Sequence, residues 1–135
     1  MKIQISVARQ LLTLFDDAGR VLREYRVSTG RAGVGEVFGS FQTPRGRHLI
    51  RAKIGAGAAE NTIFVRILWL SGCESGRNRL GRVDTMRRYI YIHGTPDHVE
   101  MGTPGSHGCI RMRNADIVEL FDLVPAYTPV EISED

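Results

Sequence analysis

Two cysteines and four histidines are the residues of this 135-residue chain best suited to chemistry. Cys109 stands in Ser106-His107-Gly108-Cys109, among small polar residues after a Gly- and Pro-rich stretch. That is a poor core environment for a thiol and a good one for a nucleophile. A free thiol is mostly protonated near neutral pH, and the thiolate is the attacking form. A neighbouring imidazole can take the proton and hold the thiolate as an ion pair. Two histidines qualify. His107 is two residues away, on the same side if the segment is extended. His93 lies sixteen residues upstream. Gly108 removes the side chain between His107 and Cys109 and opens the backbone to a substrate carbonyl. The N–H groups of Gly108 and Cys109 are then candidates for an oxyanion hole. Cys73, in Ser71-Gly72-Cys73-Glu74-Ser75-Gly76, has no nearby His in the sequence and is expected to be an incidental loop cysteine. His48 is expected to be structural, and His98 an exposed turn residue.

Positioning these groups falls to elements that the hydrophobic pattern announces. Ile3, Ile5 and Val7 alternate with polar residues, as in a strand. Leu12 and Leu14 share one face of a second strand. Val21, Arg23, Tyr25 and Val27 share one face of a third, across the turn Asp16-Asp17-Ala18-Gly19, so these two should form a hairpin. Residues 28–46 are loop-like, with Thr43-Pro44-Arg45-Gly46 suited to a turn. His48 to Ile54 is a strand, and Ile63 to Leu70, nearly all apolar, a buried central strand. Residues 71–86 form a long Arg- and Gly-rich loop, a substrate wall or lid, or a floppy excursion. Over Arg88 to His93, Ile90 and Ile92 point one way and Tyr89, Tyr91 and His93 the other. That puts His93 at a strand end on the less apolar face. One helix follows Cys109: Asn114 is its expected N-cap, and Ile117, Leu120, Phe121 and Val124 recur at helical spacing until Pro125. Its positive end is placed to face the thiolate. Val130 and Ile132 make a last short strand.

The chain fits one compact domain, 1–135. No apolar run approaches the roughly 18–20 residues of a membrane-spanning helix. Met1 and Lys2 lead at once into strand-like sequence and not into a secretory segment, so the cytoplasm is the expected compartment. A trimmed chain would instead belong to the periplasm or cell envelope. Sixteen of the 18 basic residues are Arg, and the net charge is +3. Arg suits carboxylates and phosphates. The densest group, Arg77, Arg79, Arg82, Arg87 and Arg88, is expected to be a solvated basic face, or else an attractor of carboxylate-rich peptide. No nucleic-acid motif accompanies it.

His93-Gly94-Thr95 followed by Ser106-His107-Gly108-Cys109-Ile110-Arg111-Met112 resembles the signature of the L,D-transpeptidase (YkuD-type) catalytic domain. Ser28-Thr29-Gly30, Thr43-Pro44-Arg45-Gly46 and Thr128-Pro129-Val130-Glu131-Ile132 resemble other parts of that family, in order, over nearly the whole chain. The resemblance implies a mainly β fold, a sandwich of two packed mixed sheets with one helix after the catalytic Cys. It implies attack by Cys109 on a D-Ala-terminated murein tetrapeptide, with His93 as base, oriented by the Gly94 carbonyl. The acyl acceptor would be an amine, a D-amino acid or water. His107, Ser106 and Arg111 are carried over as substrate-contacting or supporting residues, with Arg111 binding a carboxylate or bracing the loop. Tyr91, on the face of His93, is a further candidate substrate contact. No cofactor or metal is implied, and a carbapenem would be expected to acylate Cys109. A chain working in the cytoplasm would meet free tetrapeptides, which points to an L,D-carboxypeptidase of murein recycling.

Two other classes compete. His93, His98, His107 and Cys109 could gather around zinc, although no Cys-x-x-Cys or His-Glu-x-x-His pairing is present. A non-catalytic murein-peptide binding module is the third reading.

Overall fold

The computed structural model describes residues 1–57 and 66–135. Among the described residues, eight strands and one α-helix make up the fold, with a single 3-10 turn at Gly81–Val83: β1 Lys2–Ser6, β2 Leu11–Phe15, β3 Val21–Arg26, β4 Gly46–Ile54, β5 Ile67–Gly72, β6 Tyr91–Thr95, β7 Ile110–Arg113, α1 Asn114–Leu123 and β8 Pro129–Ser133. The β2–β3 hairpin forms as expected. Ile63–Val65, the expected start of the central strand, lie outside the described residues.

The strands form one ladder in the order β3-β2-β1-β8-β4-β5-β6-β7. It is mixed: β1 runs parallel to β8 and β6 parallel to β7, and the other neighbours are antiparallel. The two expected layers are halves of this one curled sheet, whose edges nearly meet. Just past the edge strand β3, Ser28 exchanges both backbone hydrogen bonds with Arg111 of the other edge strand, each 2.9 Å. Helix α1 covers the seam. Arg23 Nε donates to Glu119 Oε1 at 3.1 Å, and the Tyr25 hydroxyl donates to the same oxygen.

Inside the roll, Ile3, Ile5, Leu12 and Leu14 meet Leu68, Leu70, Ile92, Ile110 and Met112 in one apolar cluster. The helix adds Ile117, Leu120 and Phe121, each worth roughly 1.5–3 kcal/mol in burial. That burial fixes the helix on β6 and β7, the two strands that carry His93 and lead from Cys109.

Two expectations about elements are corrected. The strand carrying His93 is Tyr91–Thr95 and not Arg88–His93, because Tyr89 adopts φ +56° and breaks extended structure. His93 therefore sits mid-strand. Asn114 is the first helical residue and Arg113 occupies the cap position without a capping side chain. The Asn114 side chain lies instead over Gly94, where a Cβ would be 2.1 Å from Asn114 Oδ1.

Candidate active site

Parallel pairing of β6 with β7 sets Ile92 opposite Ile110 and His93 opposite Arg111. Ile92, Ile110 and Met112 turn into the core, so His93 and Arg111 share the other face. One pairing step back, Cys109 stands beside Tyr91, whose N–H donates to Sγ at 3.4 Å. Cys109 and His93 are thus diagonal neighbours, roughly 7–8 Å apart at Cβ by ordinary sheet dimensions.

His93 is buried, and its Nδ1 lies 2.7 Å from the Gly94 carbonyl oxygen. A carbonyl only accepts, so the ring proton sits on Nδ1 and Nε2 is the basic nitrogen. Burial pushes the His93 pKa down, the Gly94 hydrogen bond works against that, and the Arg111 charge adds to the lowering.

Burial likewise pushes the Cys109 thiol up; the Tyr91 N–H and the charges of Arg88 and Arg111 pull it back. Both directions caused by burial favour a neutral thiol beside a neutral imidazole. The thiol donates to the Tyr89 carbonyl at 3.4 Å.

The turn before Cys109 is bent and not extended. Gly108 has φ +117°, in the region that favours glycine, and a Cβ there would meet Gln42 O at 3.0 Å. Ser106 Oγ spans the bend, donating to Cys109 O at 2.5 Å and accepting from the Gly108 N–H at 3.2 Å. In this arrangement the Gly108 N–H, one of the two candidates for an oxyanion hole, donates to Ser106 Oγ. The bend corrects the expected alignment of His107 with Cys109. His107 turns outward, its ring 5.2 Å from that of Phe41. Helix α1 begins beyond the four residues of β7, roughly 15 Å along the chain from Cys109. Its dipole acts within the first turn, so it does not serve the thiol as expected. Arg111 lies against the loop, with Nη2 3.2 Å from where a Gly105 Cβ would be. Tyr91 packs its ring edge-on to Trp69 at 5.9 Å.

Two residues escaped the sequence reading. Thr43 Oγ1 donates to Gly108 O and accepts from the Gly30 N–H, both at 2.8 Å, locking the Cys109 turn to the loop at 30–43. Its motif was visible, its role was not. Arg88 belongs to the Arg-rich group, and Arg77, Arg79, Arg82 and Arg87 are exposed as expected. Arg88 is half-buried beside Cys109 and donates to Gly35 O, Ser40 Oγ and Gln42 O.

The remaining candidates stand apart. His48 is buried, with Nδ1 3.0 Å from Gly46 O and Nε2 3.0 Å from Thr85 Oγ1, and burial pushes its pKa down to about 4. Cys73 lines a cavity of about 250 Å³ together with His48, so it does have a histidine near it, contrary to expectation. Both nitrogens of that ring are already engaged. His98 is exposed in a turn. Among the described residues no three His, Cys, Asp or Glu side chains converge as metal ligands would.

A curled mixed sheet that brings a buried His on one strand beside a half-buried Cys leading into the parallel neighbour is a fold and site with known relatives. The L,D-transpeptidase catalytic domain family matches residues 1–132, and this chain belongs to it. The YkuD protein of Bacillus subtilis (strain 168) is 29% identical over 132 residues, covering 97% of this chain and 65% of that protein. The L,D-transpeptidase of Xylanimonas cellulosilytica (residues 123–326) superposes with a TM-score of 0.63 at 24% identity, covering 97% of this chain and 59% of that one. L,D-transpeptidase 3 from Mycobacterium tuberculosis, solved with a faropenem-derived adduct, gives a TM-score of 0.68 at 17% identity, covering 98% of this chain and 59% of that one. The chain thus spans about three-fifths of the length of these relatives.

Proposed function

We propose that this chain is a cysteine acyltransferase acting on peptidoglycan stem peptides. It cleaves the bond between an L-centre and a terminal D-Ala through a thioester on Cys109. One observation carries the reading: Gly94 O holds His93 with Nε2 basic, diagonally across β6 and β7 from a thiol fixed by the Tyr91 N–H. Family membership supports the reaction class.

In this mechanism Nε2 of His93 takes the thiol proton as Sγ attacks the carbonyl carbon before D-Ala. Negative charge gathers on the carbonyl oxygen, and the charges of Arg88 and Arg111 that favour the thiolate favour this oxygen too. The C–N bond breaks, the departing amine takes the proton from His93, and the acyl group stays on Sγ. An amine or water then yields a proton to Nε2 and attacks the thioester. The C–S bond breaks and the thiol regains its proton. Ser106 and Gly108 hold the turn, and His107 faces the incoming ligand. An amine acceptor makes the reaction transpeptidation. Water makes it L,D-carboxypeptidation, the activity suited to recycling free tetrapeptides in the cytoplasm.

The test is incubation with a murein tetrapeptide, with and without D-Met, read by mass spectrometry. D-Ala release together with a D-Met exchange product is expected of a transpeptidase, and tripeptide alone of a carboxypeptidase. Cys109→Ala should abolish both. A variant with full activity would eliminate the thioester. The faropenem-derived adduct of the Mycobacterium tuberculosis enzyme supports a parallel expectation, that a fused-ring β-lactam such as a penem or carbapenem adds its mass to Cys109.

A further inference from the structure

Beside Cys109 lies a cleft of about 240 Å³ lined by Phe38, Gly39, Phe41, Arg88, Ile90 and His107. It falls below the roughly 300–1,000 Å³ of pockets for drug-sized ligands, so it suits a single amino acid. Its floor residue Arg88 is close enough to the thiol for its charge to favour the thiolate. Ile90 lies between Tyr89 and Tyr91, both hydrogen-bonded to Sγ, and its Cδ1 would touch a Gly108 Cβ at 3.3 Å.

The walls and floor differ in chemistry. Phe38 and Phe41 are each 59% exposed, large apolar surfaces offered to solvent on one small loop. Arg88, half-buried at the floor, donates to three uncharged oxygens. Among the described residues no carboxylate lies within ion-pair distance of it. The nearby acid Glu36 is instead committed to Arg45 through two contacts of 3.1 Å. A guanidinium has five N–H donors, so two remain for a ligand among the described residues. A half-buried cation with no ion pair among the described residues, next to apolar walls and a nucleophile, complements a free amino acid. Its carboxylate meets Arg88, its side chain meets the phenylalanines, and its amine lies toward Cys109.

We infer that this cleft binds the terminal D-residue of the acyl donor, and in turn the amino acid that replaces it. Arg88 holds the free α-carboxylate, and Phe38 and Phe41 select an apolar side chain. Arg88 makes its direct contact with the leaving group's carboxylate, and only its charge reaches the thiol and the scissile carbonyl. The inference rests on the acyl-transfer reading above.

The experiment compares kcat/KM for pairs of tetrapeptides in the wild-type protein and in variants. The first pair ends in free D-Ala or in its C-terminal amide. A charge-assisted hydrogen bond corresponds to a preference for the free acid of about tenfold or more. Arg88→Gln should bring the ratio close to one, chiefly through KM, and Arg88→Lys should restore part of it. A ratio taken within one protein cancels any effect of Arg88 on the thiol itself. The second pair ends in D-Leu or D-Asn, and Phe41→Ala should erase the D-Leu preference. If the wild-type protein releases D-Ala and D-alaninamide equally well, or Arg88→Gln keeps the preference, the inference is overturned and the acyl-transfer reading stands. If the wild-type protein releases neither and Cys109 takes up no acyl group, that reading fails and the inference with it.

Discussion

Arg111 touches both partners of the candidate pair through its charge, lowering the pKa of Cys109 and of His93 alike. Removing that charge raises both. The thiolate and the basic imidazole then each appear at higher pH, so the pH profile of thiol alkylation moves to the alkaline side as a whole. Arg111→Gln should show that displacement with iodoacetamide, and Arg111→Lys should largely keep the wild-type profile. An unmoved profile in the Gln variant would mean that the thiol does not sense this charge. Cys109 stood out as a candidate because its neighbours are small, polar and unsuited to a core, and His93 because of its place on a strand and in the family motif. Arg88 was not legible. It is one of five arginines in similar local sequence, and what separates it is contact with Gly35, Ser40 and Gln42, more than forty positions away. The outward turn of His107 was hidden in the same way, because it depends on the positive φ of Gly108 under the Gln42 carbonyl.

At the level of elements, strands with clean alternation were readable, since period-2 burial leaves its mark residue by residue. β1, β2 and β8 each bury alternate residues. The end of the strand bearing His93 was misjudged because a backbone break at Tyr89 has no signature in hydrophobicity. The long loop at 71–86 was left open between wall and floppy excursion, and the structure decides for a built wall. Asn78 is fully buried there and donates to Arg45 O and Arg47 O at 3.0 and 3.1 Å. Its Oδ1 accepts from the Glu74 N–H at 2.9 Å. Asp84 accepts from the N–H groups of Leu80 and Arg87, and the Phe38 N–H reaches Arg82 O at 2.6 Å. The loop is thereby tied to the other wall of the cleft. Asn78→Ala strands buried backbone groups and should cost about 2–3 kcal/mol. Since Arg77, Arg79, Arg82 and Arg87 are exposed, trypsin should nick this variant within the loop far faster than the wild-type protein. Equal rates would mean that Asn78 does not hold the loop closed.

For the molecule as a whole, the ladder that almost closes between Ser28 and Arg111 couples the site to global stability, since one cluster of apolar residues supports every strand. Anything that favours the unfolded chain in mild acid therefore reaches the site as well. His48 is such a group. Its folded pKa is pushed down to about 4 by burial, against an ordinary value of 6.5. As pH falls below 6.5 the unfolded chain takes up this proton while the folded chain does not. Stability is fully present above that value, is lost progressively down to about 4, and changes no further from this group once both states are protonated. The full loss is on the order of 3 kcal/mol. His93, also lowered, acts in the same direction, whereas the lowered carboxyl of Glu36 contributes only below the ordinary glutamate value of 4.5. Urea denaturation at a series of pH values between 7 and 4 separates them. His48→Gln should flatten most of the wild-type slope in that window while leaving the steeper loss below pH 4.5 in place. If the variant kept the full slope between pH 6.5 and 4.5, His48 would be protonated in the folded protein. Its hydrogen bond to the Thr85 hydroxyl, which needs an unprotonated Nε2 accepting, would then have to be assigned the other way round.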